Sequence, residues 1–125
     1  MRTDRATSVF SPRLDRVIFA VALAAAAITR LTYLDLAEFK DDESRALGIG
    51  AAFLAGKLIP LIGIPSSVGI NNPPAFEYLL TIPLLLTRNP AVATGFIGLL
   101  GVGAVFFTYR VCDRYFDRTT ARYAT

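Results

Sequence analysis

Residues Ala91–Val111 read AVATGFIGLLGVGAVFFTYRV, a run of about 21 residues with no charge before Arg110. A transmembrane helix needs about 20 predominantly apolar residues, so this run predicts a membrane span. A soluble core in a chain of 125 residues has no need of so long an uncharged stretch. Gly95, Gly98, Gly101 and Gly103 lie inside it and predict close packing against another helix. Arg88-Asn89-Pro90 breaks the chain before the run, and Arg110, Arg114, Arg118 and Arg122 follow it. Thr119–Thr125 reads as the opening of a further helix.

A second apolar stretch lies near the N-terminus. Residues 1–13 are a polar tail, expected in the cytoplasm, and Leu14–Leu34 reads as a membrane helix. Its alanines (Ala20, Ala22 and Ala24–Ala27) let a neighbouring helix approach, and Arg30 near its far end either snorkels to the interface or faces a wet cavity. The basic residues Arg2, Arg5, Arg13 and Arg16 before Val17–Ile28 also fit a signal peptide. Apolar character continues to Leu34, however, and no small-x-small cleavage site stands outside the alanine run, so a retained anchor is expected.

Between the two expected spans lies a loop, residues 35–90. It opens with Asp35, Glu38, Lys40, Asp41, Asp42 and Glu43. A juxtamembrane helix is expected over about 42–56, ending near Gly56. Leu58–Pro74 carries Pro60, Gly63, Pro65, Gly69, Pro73 and Pro74 and predicts an irregular loop. The 13 residues between Pro74 and Arg88 are too few to span, which predicts an interfacial or re-entrant helix over about 74–87. Four arginines precede the first span and four follow the second, against five Lys/Arg in the 61 positions 30–90. The positive-inside rule then puts both ends in the cytoplasm and the acidic loop outside. The expected fold is all-α: a polytopic membrane protein fragment with transmembrane helices at 14–34 and 91–111, two juxtamembrane helices in the external loop, and a cytoplasmic turn with the start of the next helix at 112–125.

Composition narrows the function. Hydrophobic residues make up 54% and charged residues 18%, which favours the bilayer over water as the solvent. A net charge of +3, with arginines clustered beside apolar segments, argues for topology and against nucleic acid. The single cysteine, Cys112, excludes an intrachain disulfide and a thiolate metal cluster; it reads as a buried or interfacial thiol. Histidine is absent, so carboxylates are the plausible acid/base groups. No GxGxxG, P-loop, GxSxG or HExxH pattern occurs.

Two features could carry chemistry. Asp41, Asp42 and Glu43 are adjacent carboxylates beside a low-dielectric surface, an arrangement that favours a partner cation or an accepted proton. One of them could act as general base toward an incoming hydroxyl or amine. The same acids equally suit a solvated helix start, where the dipole favours negative charge. Asn71-Asn72-Pro73-Pro74 reads either as a turn leading into a helix or as an anion-accepting helix start suited to a lipid phosphate. Tyr33, Phe39, Phe76 and Tyr78 are expected as interfacial aromatics.

The order of these features resembles the start of the polytopic GT-C glycosyltransferases, nearest the protein O-mannosyltransferase and aminoarabinose-transferase branch. Ile28–Leu34 looks like that group's arginine-bearing end of the first helix, and Asp42-Glu43 like its external Asp-Glu pair. Asn72-Pro73-Pro74-Ala75-Phe76-Glu77-Tyr78-Leu79-Leu80 is similar to its basic-residue-Pro-Pro-aromatic motif, with Asn72 where the family often has His or Lys. Lys40-Asp41 stands where aromatics are frequent. The likeness covers roughly residues 15–125. It implies an inverting transferase that moves a sugar from a polyprenyl-phosphate donor to a lipid or protein acceptor on the external face of a bacterial inner (plasma) membrane. It further implies Asp42 as the base or acceptor-orienting group, Glu43 in support with Asp41 beside it at the substrate, and Arg30 and the Asn72-Pro73-Pro74 helix start near the donor phosphate. It fixes no cofactor and leaves room for a divalent metal. Members of the group are several hundred residues long, so the chain is expected to be an N-terminal fragment, inactive alone.

Two other classes compete. One is a small non-catalytic membrane subunit with a merely solvated acidic loop. The other is a piece of a transporter, but transport sites tend to sit at mid-membrane, and most acids here lie outside the expected spans.

Overall fold

The structure, a computed structural model, describes residues 12–36, 39–116 and 118–124. Among the described residues five α-helices follow one another: α1 (Pro12–Leu31), α2 (Asp41–Leu54), α3 (Ala75–Leu84), α4 (Pro90–Tyr115) and α5 (Arg118–Tyr123), with a short 3-10 turn at Leu34–Leu36. No strand occurs among the described residues; an isolated antiparallel bridge joins Pro65 and Asn71. The fold is all-α. The tail at residues 1–11, Glu38 of the acidic run and Thr125 lie outside the described residues.

Two compact units make up the chain. The first contains α1 and everything from Ile97 onward; the second is Tyr33–Phe96.

In the first unit, α1 begins on Pro12, whose missing N–H costs nothing at a helix start. Asp15 in its first turn and Arg30 in its last both suit the helix dipole. The helix ends at Leu31, three residues before the expected Leu34. Tyr33 takes φ 56, a left-handed conformation that costs a non-glycine residue about 1 kcal/mol and cannot continue an α-helix. Phe19 stacks on Tyr109 at a centroid distance of 4.0 Å. At the other end of the pair, a Cβ on Gly98 would stand 2.6 Å from the Arg30 carbonyl oxygen. Low numbers thus meet high ones, and α1 and α4 run antiparallel. Gly98 is what lets the two backbones come so close. Gly101 lies under the Arg30 side chain, with Cδ and Nε each 2.9 Å from where its Cβ would be. Arg122 of α5 pairs with buried Asp15 of α1 at 2.7 Å.

Among the described residues α4 alone is long and apolar enough to cross a membrane. Only 6% of its apolar window is buried, unlike the core helix of a soluble protein. Asn89 caps it, its Oδ1 accepting from the Ala91 amide at 3.0 Å, and Pro90 fills the first helical position. By contrast, Arg13, Asp15, Arg16 and Arg30 leave α1 an uncharged stretch of only Val17–Thr29. At 1.5 Å per residue that is roughly 20 Å, short of a hydrocarbon core of about 30 Å.

In the second unit α2 packs on α3. Gly50 makes room: a Cβ there would lie 3.1 Å from the Glu77 carbonyl oxygen and 3.2 Å from Leu84 Cδ1. Ala46 is fully buried, Leu80 nearly so, and Phe53 meets Tyr78 edge-on at 5.1 Å. A Schellman motif ends α2: Lys57 N–H donates to Ala52 O, Gly56 N–H donates to Phe53 O, and Gly56 takes φ 68. Helix α3 has 10 residues, roughly 15 Å, too short to span. Pro83 sits inside it, and the chain leaves the helix within two residues.

The segment read from sequence as irregular has an ordered shape. Gly63 N–H donates to Asn72 O at 2.8 Å, Asn72 N–H to Ile64 O at 3.0 Å, and Ser66 N–H to Ile70 O at 2.8 Å. Residues 63–72 form a narrow hairpin turned at Gly69, φ 77.

Candidate functional site

The acidic residues occupy the first turn of α2, with Lys40 as the N-cap residue. An uncapped helix leaves four amide groups without partners. Glu43 supplies one: its Oε2 accepts from the Lys40 amide at 3.2 Å. The return half of a capping box is chemically closed, because the Lys40 ammonium carries no acceptor. Ser44 Oγ donates to the Asp41 carbonyl at 2.9 Å. Asp41, Asp42 and Glu43 are all solvent-exposed. With Lys40 they line an open depression of about 410 Å³.

The three carboxylates therefore divide. Glu43 is engaged with its own helix start. The Asp42 carboxylate, in the first turn of α2, has no hydrogen bond or ion pair among the described residues. What this arrangement can do is take a proton from, or hold a cationic or hydroxyl group of, a molecule arriving from water. Among the described residues no three Cys, Asp or Glu groups are placed to hold a metal ion, so no step is assigned to one.

Asn72, Pro73 and Pro74 stand at the foot of α3, and they do not contribute to the walls of the acidic depression. Instead Asn72 closes the hairpin through its main chain. Arg30 belongs to the first unit, exposed on α1.

One carboxylate was not singled out from sequence. Glu77 is 1% exposed, the largest fully buried side chain among the described residues. Its Oε1 accepts from the Ile64 amide at 3.0 Å, while Oε2 is buried without a partner. Tyr78, expected as an interfacial aromatic, is half-buried and donates its hydroxyl to the Pro60 carbonyl at 2.9 Å. Together the pair fastens residues 60–64 to α3. The available signal was the isolation of Glu77, the single charge between Lys57 and Arg88.

Compared with known proteins, the chain matches no family model, no curated protein and no solved structure.

Proposed function

We propose that the chain is the N-terminal part of an integral membrane glycosyltransferase of the GT-C kind, with Asp42 as its general base. The observation that carries this reading is the contrast between Glu43, bound to the Lys40 amide, and Asp42, exposed beside it without a partner. In the proposed reaction Asp42 accepts the proton of an acceptor hydroxyl or amine. The acceptor atom bonds to the anomeric carbon from the face opposite the phosphate, the bond from that carbon to the phosphate oxygen breaks, and polyprenyl phosphate leaves. The configuration inverts.

In this reading α4 crosses the membrane, α1 crosses it as a second span whose short uncharged stretch is made good by Arg30 facing water, and α2 and α3 lie outside at the interface. The positive-inside distribution of arginines supports that orientation. The family resemblance supports a donor-phosphate role for Arg30 and for the Asn72-Pro73-Pro74 helix start, and it fits a bacterial plasma membrane.

A non-catalytic membrane subunit is the competing reading, favoured by the placement of all three acids where a helix start alone would want them. The two separate on Asp42→Asn in the complete protein, assayed for transfer from a polyprenyl-phosphate sugar. Loss of a general base lowers the rate by about 10²–10⁴-fold, with expression and thermal stability unchanged. Transfer at the wild-type rate would remove Asp42 from the chemistry.

A further inference from the structure

From Leu58 to Phe76 the chain carries no charge, and most of its large apolar side chains face outward. Leu61 is 81% exposed, Val68 77%, Ile59 71% and Ile70 70%. Such a patch in water is a liability, and it marks an interaction surface. Three properties select its partner. The hairpin pairs the amides of Gly63, Ser66, Gly69 and Asn72 within itself, while those of Ile59, Leu61, Ile62, Val68 and Ile70 have no partner among the described residues and need headgroup water, which suits an interfacial depth and forbids a deeper one. Glu77, the charge that would oppose entry, is turned inward against the Ile64 amide. Exposed Lys57 and Arg88, the nearest cations on either side along the chain, complement anionic headgroups.

We propose that the 58–72 segment, the 63–72 hairpin and the residues leading into it, dips into a lipid leaflet, with Ile59, Leu61, Ile62, Val68 and Ile70 as the inserted side chains and phospholipid as the partner. Insertion is shallow. Exposed Ser67 at the turn holds the tip near the headgroup boundary, at the depth of about 5–10 Å usual for interfacial segments. The segment thus gives the second unit a membrane contact of its own, and the proposal is independent of any transferase activity.

The test uses the full chain with Cys112→Ser, reconstituted in vesicles of phosphatidylcholine and phosphatidylglycerol. Single cysteines at Val68→Cys, or at Ile62→Cys should the first fail to fold, carry an environment-sensitive fluorophore. Ser44→Cys serves as the water-exposed control. Nitroxide-bearing lipids are expected to quench the hairpin label at least about threefold more than the Ser44 label, with iodide quenching correspondingly weaker. Iodide quenching equal to that at Ser44 would overturn the insertion. So would shielding from both quenchers, which would mean that protein rather than lipid covers the hairpin.

Discussion

Glu77 Oε1 accepts a hydrogen bond from the Ile64 amide at 3.0 Å, with the carboxylate fully buried and Ile64 partly so. A buried acceptor of this kind holds a loop in one register, because releasing it strands an amide as well as a carboxylate. Glu77→Ala is therefore expected to destabilise the second unit by about 2 kcal/mol and to open residues 58–72 to protease. Glu77→Gln, which keeps a carbonyl oxygen for Ile64, should cost less. Equal losses from both variants would show that Oε1 is not the anchoring atom.

Gly63 is required by that same contact. A Cβ there would lie 2.8 Å from Glu77 Oε1 and 2.9 Å from the carbonyl oxygens of both Asn72 and Pro73. Gly63→Ala should lower the melting temperature by an amount equivalent to about 1–3 kcal/mol. Gly48→Ala is the control: nothing lies within 4 Å of its Cβ, and replacing a mid-helix glycine should stabilise α2 by about 0.5–1 kcal/mol. Opposite signs from two Gly→Ala changes in one unit are the expected result of a thermal melt.

On α4 the contrast is between Gly98 and Gly103. Gly98→Ala would drive its methyl into the Arg30 main chain, whereas Gly103 faces open space. Thermal unfolding in detergent should fall for Gly98→Ala by about 1–3 kcal/mol and stay level or rise for Gly103→Ala.

Asp15 and Arg122 meet at 2.7 Å with little access to solvent. Removing one partner of such a pair leaves a buried charge and costs about 3–5 kcal/mol. Asp15→Ala and Arg122→Ala should each loosen α5, and the double variant should be less damaging than the sum. A double-mutant cycle with no coupling would mean that the pair does not form.

Glu43 and Asp42 should respond differently to the loss of their carboxylates. Glu43→Ala removes the acceptor for the Lys40 amide and should cost α2 about 0.5–1 kcal/mol of stability, while Glu43→Gln retains it. Asp42→Asn should leave the helix start intact by circular dichroism.

The helical character of α4 and the shortness of α3 were readable because length and charge spacing alone decide them. The end of α2 was readable too, since Gly56 supplies the left-handed residue that a Schellman close demands. The hairpin was not. Its prolines and serines show no alternation, and its shape depends on Glu77 and Tyr78, which lie beyond it in the sequence. Nothing near Tyr33 signals that a tyrosine takes the conformation that glycine usually takes, and the end of α1 at Leu31 is not legible in the sequence. Within the candidate site, the acidic turn was legible as a cluster. The division of labour inside it was not, because sequence cannot tell which of three adjacent carboxylates folds back on the main chain.

Arg30 rests over Gly101, roughly 16 Å along α4 from Pro90 at 1.5 Å per residue. With α4 crossing a bilayer, that depth is close to the middle of the hydrocarbon, where an arginine survives only by drawing in water or an anion or by deforming the lipid around it. The two-helix pair would then not be a dry peg. It would carry a hydrated notch on one flank, and the membrane beside it would be locally thin.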